Sequence, residues 1–385
     1  MILRWPHPLQ SELAIGSTLS AYDKPLFPAG VVHFYEHLLF RQLKRAVETL
    51  APNQAILCNG RTQVDHFYLY MAFRKGGGQR EGARVERQEI MDMALGDPEF
   101  RIGPEEFCQE KNVVIREIEE RGTLNERLLA RIQDRYLRIS PDHQGLLGHA
   151  TAIAALDYEA AMAELNAFIP RIQRVTCQAA RMKSRQDLPT ASWNRVRNQE
   201  RNECLHLRFD VESFAIGQRL ATVCVLEMEN PSLWDLLRVQ ALEQILRHLP
   251  GPGNLNSWIR ETFGASYGFH GLQLSQGKRY LFTWTAFSAE TPPSELLDLL
   301  RARFQECPAL LAMYGTQAVA RLLLEDVAYR HPLGLIHKIP ELVLRFGPET
   351  QMILDHREQL LVESLPVSLV VTPLPRQEVP RVRPS

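Results

Sequence analysis

One pattern of elements occurs twice in this 385-residue chain, once in each half. From Pro28 to Leu50 an apolar periodicity of helical type precedes two β-rich runs, Ala55 to Cys58 onward and His66 to Phe73. From Leu233 to Leu249 a second helical pattern precedes Tyr267 to Leu274 and Tyr280 to Phe287. The alternating aromatic and branched residues of these two runs, split by Gln276-Gly277-Lys278-Arg279, predict a hairpin. Each half then ends in helical segments and a late apolar stretch, Ile172 to Ala180 and Val367 to Thr372. The expected architecture is one α+β unit written twice, each copy about 190 residues and within the usual domain size. The polar, charged stretch from Ser184 to Asn202, with Pro189 inside it, is the expected linker. This gives a first domain over 1–187, a linker over 188–202, a second domain over 203–372 and a proline-rich tail over 373–385.

The first helical pattern contains His33-Phe34-Tyr35-Glu36-His37. On a helix the i, i+4 spacing sets both imidazoles on one face, where two neutral nitrogens can share one borderline-soft cation. Glu36 projects beside them, placed to polarise a water without itself ligating the metal. The order H-x-x-E-H reverses the commoner H-E-x-x-H metalloprotease helix and is the inverzincin signature. Standing alone, the pentapeptide is equally consistent with a helix bearing surface histidines.

A catalytic zinc usually takes three protein ligands and leaves a fourth position for water. A third candidate lies in Glu110-Lys-Asn-Val-Val-Ile-Arg-Glu117-Ile-Glu-Glu120, where Phe107, Val113, Val114 and Ile118 mark an amphipathic helix. Residues seven apart on a helix differ in angle by about 20°, so Glu110 and Glu117 line one face. A solvated acidic face gives the same run of glutamates. Taken with the histidine motif, however, the segment resembles the downstream glutamate helix of the pitrilysin-type (M16) metallopeptidases. That resemblance implies that Glu117 completes the zinc site with His33 and His37, and that Glu110 supports it from behind. His37 and Glu117 stand 80 residues apart, slightly long for the family, and Gly76-Gly77-Gly78 offers a place for the excess.

Two further stretches carry the resemblance. Cys58-Asn59-Gly60-Arg61-Thr62 through Tyr70 is similar to the family's N-A-x-T-x-x-D-x-T-x-Y segment, with Gly60 in place of alanine and His66 in place of threonine. There it is a sheet edge that binds extended peptide by β-augmentation, which would give Asn59 a substrate-binding role; the residues alone read as an ordinary hairpin strand just as well. His66, a lone histidine on a strand, is read as a packing or surface residue. Leu255 to Tyr267 resembles the second-domain motif L-x-x-x-x-R-E-x-x-G-x-x-Y, which implies that Arg260 and Tyr267 bind substrate. A guanidinium and a phenol suit a peptide carbonyl or a developing oxyanion.

The resemblance covers most of residues 14 to 372. It implies two tandem homologous domains, each an open, mostly antiparallel sheet flanked by helices, related by a pseudo-twofold as half of a clamshell. Only 32 residues precede His33, fewer than the family's usual strand and hairpin take up. The expectation is therefore a first sheet that lacks an edge strand or whose edge a partner covers. The implied activity is a zinc-dependent endopeptidase, with Glu36 as general base, acting on extended peptides or leader segments inside a closed chamber. Maturation of a ribosomally made, modified peptide is one such role. The implied assembly is a homodimer, or a heterodimer with a related subunit; the alternative is a non-catalytic or partner-dependent subunit of such a complex.

Composition narrows the partners. Lys plus Arg number 44 against 45 Asp plus Glu, so there is no basic field and nucleic acid is not an expected partner. The six cysteines have no paired spacing and are expected as free thiols in a reducing compartment. The N-terminus lacks a signal-peptide core, and no apolar run reaches the about 18 residues of a membrane span. A cytoplasmic address without membrane attachment is the expectation.

Overall fold

A computed structural model describes residues 2–6, 12–15, 28–52, 55–63, 66–73, 87–121, 124–139, 144–172, 175–180, 204–216, 219–249, 254–263, 270–276, 279–288, 294–329, 343, 350–355, 357–364 and 368–374. The protein is an α+β chain of mixed sheets flanked by helices. Its packing divides into two compact units, Met1–Gln199 with Leu323–Arg357, and Glu200–Leu322 with Glu358–Ser385. The linker expected over 188–202 lies outside the described residues, as does most of the tail.

The first unit begins with β1 (Ile2–Pro6) and β2 (Glu12–Ile15), followed by α1 (Val31–Leu50), β3 (Ala55–Thr62) and β4 (Phe67–Phe73). The helices α2 (Arg87–Gly96), α3 (Pro104–Arg121), α4 (Leu124–Ile132), α5 (Ala150–Ala154) and α6 (Tyr158–Phe168) come next, and then β5 (Val175–Ala180). The strands form a five-stranded sheet in the order β1-β5-β2-β4-β3. Only the β1–β5 pair is parallel.

β4 is buried on both faces from Phe67 to Met71, which is why its sequence reads as an unbroken apolar run. Phe67, Leu69 and Met71 face α1 in a core shared with Phe34, Leu38, Leu39 and Leu43 of α1, Phe107 and Val114 of α3, and Leu165 and Phe168 of α6. Phe34 meets Phe107 edge to face at 5.1 Å between ring centroids and joins α1 to α3. A fully buried phenylalanine of this kind contributes about 2–3 kcal/mol. The polar side of α1 is thereby aimed at α3.

Among the described residues the first sheet has five strands, as many as the second, which runs against the expected lack of an edge strand. β1 and β2 both pair, and β5 enters between them. Strands of five and four residues in a stretch containing Pro6 and Pro8 show too little alternation to be read in advance.

The second unit contains β6 (Cys204–Ile216), β7 (Arg219–Glu229), α7 (Leu233–Arg247), α8 (Leu255–Phe263), β8 (His270–Gln276), β9 (Arg279–Ser288) and α9 (Ser294–Gln305). α10 (Cys307–Tyr329) begins in this unit and runs past its boundary at Leu322, α11 (Thr350–Asp355) falls in the first unit, and α12 (Arg357–Ser364) and β10 (Ser368–Pro373) complete the chain. Its five-stranded sheet runs β10-β6-β7-β9-β8, with β10 parallel to β6 and the rest antiparallel. Gln276 pairs with Arg279, so β8 and β9 join as the antiparallel hairpin the sequence predicts. Cys58, Cys108, Cys204, Cys224 and Cys307 are free of disulfides. No helix among the described residues is long and apolar enough to cross a membrane.

Candidate metal centre

α1 starts abruptly. Gly30 is its N-cap in a left-handed conformation, φ 86°, with no side-chain cap. A Cβ on Gly30 would stand 2.2 Å from the Leu147 carbonyl oxygen, and one on Gly148, φ 75°, would stand 2.0 Å from that of Ala29. Two glycines thus let the 147–148 loop press against the helix start. One turn later come His33, Glu36 and His37, the first two only 7% and 6% exposed.

The two histidines meet at their Nε2 atoms, 3.2 Å apart, with rings at 90°. Glu117 of α3 brings Oε2 to 3.8 Å from His33 Nε2. One donor atom from each of His33, His37 and Glu117 lies within 4.8 Å of the others, and no other such group occurs among the described residues. Two imidazole nitrogens and a carboxylate oxygen converging on a half-buried point form the donor set that a catalytic zinc takes.

Glu36 is pressed between this group and the sheet edge. Its Oε2 accepts a hydrogen bond from Thr62 Oγ1 of β3 at 3.1 Å. A Cβ on Gly60 would lie 1.9 Å from Glu36 Oε1, so the strand approaches the carboxylate where it lacks a side chain. Burial pushes the Glu36 carboxyl up to about 7; His37 and Thr62 oppose this, and Glu117 adds to it.

Behind His37, Nδ1 faces Glu110 Oε2 at 3.4 Å. Arg41 Nη1 donates to Glu110 Oε1 at 2.6 Å. Burial pulls the His37 pKa down, but the Glu110 hydrogen bond and the carboxylates of Glu36, Glu117 and Glu110 outweigh it, and the net direction is upward. The His37 hydrogen bond holds Glu110 below the usual carboxylate range against burial, with Arg41 assisting.

Of the residues named from sequence, His33, Glu36, His37, Glu110 and Glu117 come together. Asn59 sits exposed on β3, the strand at the end of the sheet, and its Oδ1 accepts from the Gly60 N–H at 2.9 Å. Arg260 falls on α8 with its side chain outside the described residues, and Tyr267 lies outside them altogether. His66 is buried, stacks on Tyr68 at 5.9 Å between ring centroids, and is not a member of the donor group.

Sequence reading missed Thr62, Arg41 and Arg45. A signal for the arginines exists: His33, His37, Arg41 and Arg45 repeat every four residues along α1, against Glu106, Glu110 and Glu117 on α3. Arg45 pairs with Glu106, as does Arg41 Nε at 3.4 Å.

No protein-family model matches the chain, and no curated protein does. Solved structures do. A protease from Helicobacter pylori superposes with a TM-score of 0.61 at 12% identity, covering 97% of this chain and 96% of that one. A protein described as an M16-like peptidase, from Alicyclobacillus acidocaldarius, gives 0.56 at 14% identity over 97% and 96%. An inactive M16 peptidase domain from Pseudomonas fluorescens gives 0.58 at 14% identity over 98% and 96%. The chain therefore has the M16-like peptidase fold, which serves a protease in one of these proteins and an inactive domain in another.

Proposed function

We propose that the protein is a zinc-dependent endopeptidase of the short, two-domain pitrilysin type. The observation that carries this reading is the convergence of His33, His37 and Glu117 beside a buried carboxylate, Glu36. The two imidazoles and Glu117 would hold zinc with a position left for water. When bound, the ion supplies Lewis-acid polarisation of the scissile carbonyl and of the attacking water.

The remaining chemistry belongs to side chains. Glu36 takes a proton from the attacking water and passes it to the leaving amine, and its buried place beside the donor group suits both steps. Glu110 keeps the His37 proton on Nδ1, so that Nε2 is the nitrogen offered to the metal. An extended peptide adds to β3 through main-chain hydrogen bonds, with Asn59 alongside. Arg260 and Tyr267 bind the substrate carbonyl or the oxyanion. The two units are homologous copies, the working form is a dimer, with itself or with a related subunit, and the address is cytoplasmic.

A second reading, a non-catalytic subunit, is favoured by the likeness to the inactive Pseudomonas domain. Elemental mass spectrometry and peptide hydrolysis separate the two. The endopeptidase binds about one zinc per chain, loses it with cleavage in His37→Ala, and keeps zinc but not cleavage in Glu36→Gln. Zinc-free wild-type protein, or full activity in Glu36→Gln, would sink the catalytic reading.

A further inference from the structure

We propose that Arg41 is a positioning residue for the metal centre, acting through Glu110 on His37; the inference rests on the zinc reading of that centre. Arg41 follows His37 by four residues on α1, so both side chains leave the same helix face and meet α3 at one carboxylate. Glu110 gives each an oxygen: Oε1 to Arg41 at 2.6 Å, Oε2 to His37 Nδ1 at 3.4 Å. The guanidinium is further held by Gln109 Oε1, which accepts from Nη2 at 3.2 Å, and by Glu106 Oε1, 3.4 Å from Nε. A planar fork fixed at three points has little freedom left.

This matters for His37 because an imidazole that offers Nε2 to a metal must keep its proton on Nδ1. That tautomer is favoured when an ionised carboxylate is aimed at Nδ1. Arg41 sets that aim, since its fork occupies the Glu110 oxygen that does not face His37 and leaves the other directed at Nδ1. It also separates the work of two identical side chains. Glu110 and Glu117 share a stripe of α3, but a carboxylate engaged by Arg41 does not swing into the donor set, and Glu117 completes it.

Arg45 provides a matched control. One turn further along, it ties α1 to Glu106 and to the Arg101 carbonyl at 3.2 Å. Those contacts include neither Glu110 nor His37. Zinc dissociation constants for wild type, Arg41→Gln, Arg41→Lys, Arg45→Gln, Glu110→Gln and the Arg41→Gln/Glu110→Gln pair are measured by competition with a chromophoric zinc chelator. Urea unfolding of each metal-free protein is recorded alongside. Arg41→Gln should bind zinc about tenfold more weakly, and Arg41→Lys should stay within about threefold of wild type. Arg45→Gln should match wild type in affinity while losing as much stability as Arg41→Gln. Adding Arg41→Gln to Glu110→Gln should weaken binding no further.

Wild-type affinity in Arg41→Gln overturns the proposal. Equal weakening in Arg41→Gln and Arg45→Gln does too, because it reduces Arg41 to an interhelical clamp, and so do additive losses in the pair. A wild-type protein that takes up no zinc overturns the functional reading and this inference together, which is distinct from the other outcomes because in those wild type binds.

Discussion

α1 and α7 are the first helices after the opening strands of their units, and they treat the same positions in opposite ways. α7 has a complete start: Ser232 Oγ accepts from the Asp235 N–H at 3.2 Å, and Asp235 Oδ2 accepts from the Ser232 N–H at 3.0 Å. Three and six residues after that cap stand Asp235 and Arg238, 2% and 1% exposed, paired at 3.0 Å, with Arg238 Nε also donating to the Ser364 carbonyl at 2.9 Å. Three and six residues after Gly30, α1 instead carries His33 and Glu36, on a helix with no side-chain cap. One helix resolves its buried polar groups within itself and with its own unit's backbone. The other directs them at α3 and β3, where their arrangement suits a cation. Buried polarity neutralised in place serves stability, and buried polarity left converging on a point serves chemistry.

Substitutions can break that contrast. The largest effect is expected from Glu36→Gln, which should lower kcat by about 10²–10⁴-fold with zinc content and unfolding midpoint unchanged; peptide hydrolysis and denaturation on one preparation check it. Its counterpart Arg238→Met strips Asp235 of its arginine and should cost about 3–5 kcal/mol of stability, read by urea unfolding, without altering zinc affinity. Loss of zinc binding there would mean that α7 shares the work of α1. Gly30→Ala forces a Cβ onto a left-handed residue facing a carbonyl and should cost about 1–3 kcal/mol, with weaker zinc binding as the helix start shifts. The smallest effect is expected from Gly60→Ala. The far end of the Glu36 side chain can move aside, so stability should change by less than about 1 kcal/mol, while kcat falls several-fold as the base is displaced; an unchanged kcat would show that the strand does not set the position of Glu36.

The contrast also marks how far the sequence could be read. Helical periodicity over α1 and alternation over β9 are local signals, and both elements lie close to where the pattern puts them. His33, Glu36 and His37 share one helix and stood out by their spacing, whereas the spacing of Glu110 and Glu117 put them on one face of another helix and only the family resemblance gave them roles. The bond from Thr62 to Glu36 was not legible, because it joins residues 26 apart across a sheet edge and the motif that contains Thr62 does not name its partner. Arg41 and Arg45 lay between the two cases: their four-residue stripe was in the sequence, but its meaning depended on α3 lying opposite. β1 and β2 were obscured by brevity, since strands of five and four residues draw their stability from the neighbours they pair with.

The interlocked glycines at the start of α1 bear on how such a chain can drift. Gly30 is confined by the backbone of Leu147 and Gly148 by the backbone of Ala29, so the obstacle at each position is main chain. No second-site change of side chain can remove it, and neither residue can be exchanged first while the other waits. A reciprocal backbone contact of this kind constrains the two glycines as a pair, and it anchors the helix from which His33, Glu36 and His37 are hung.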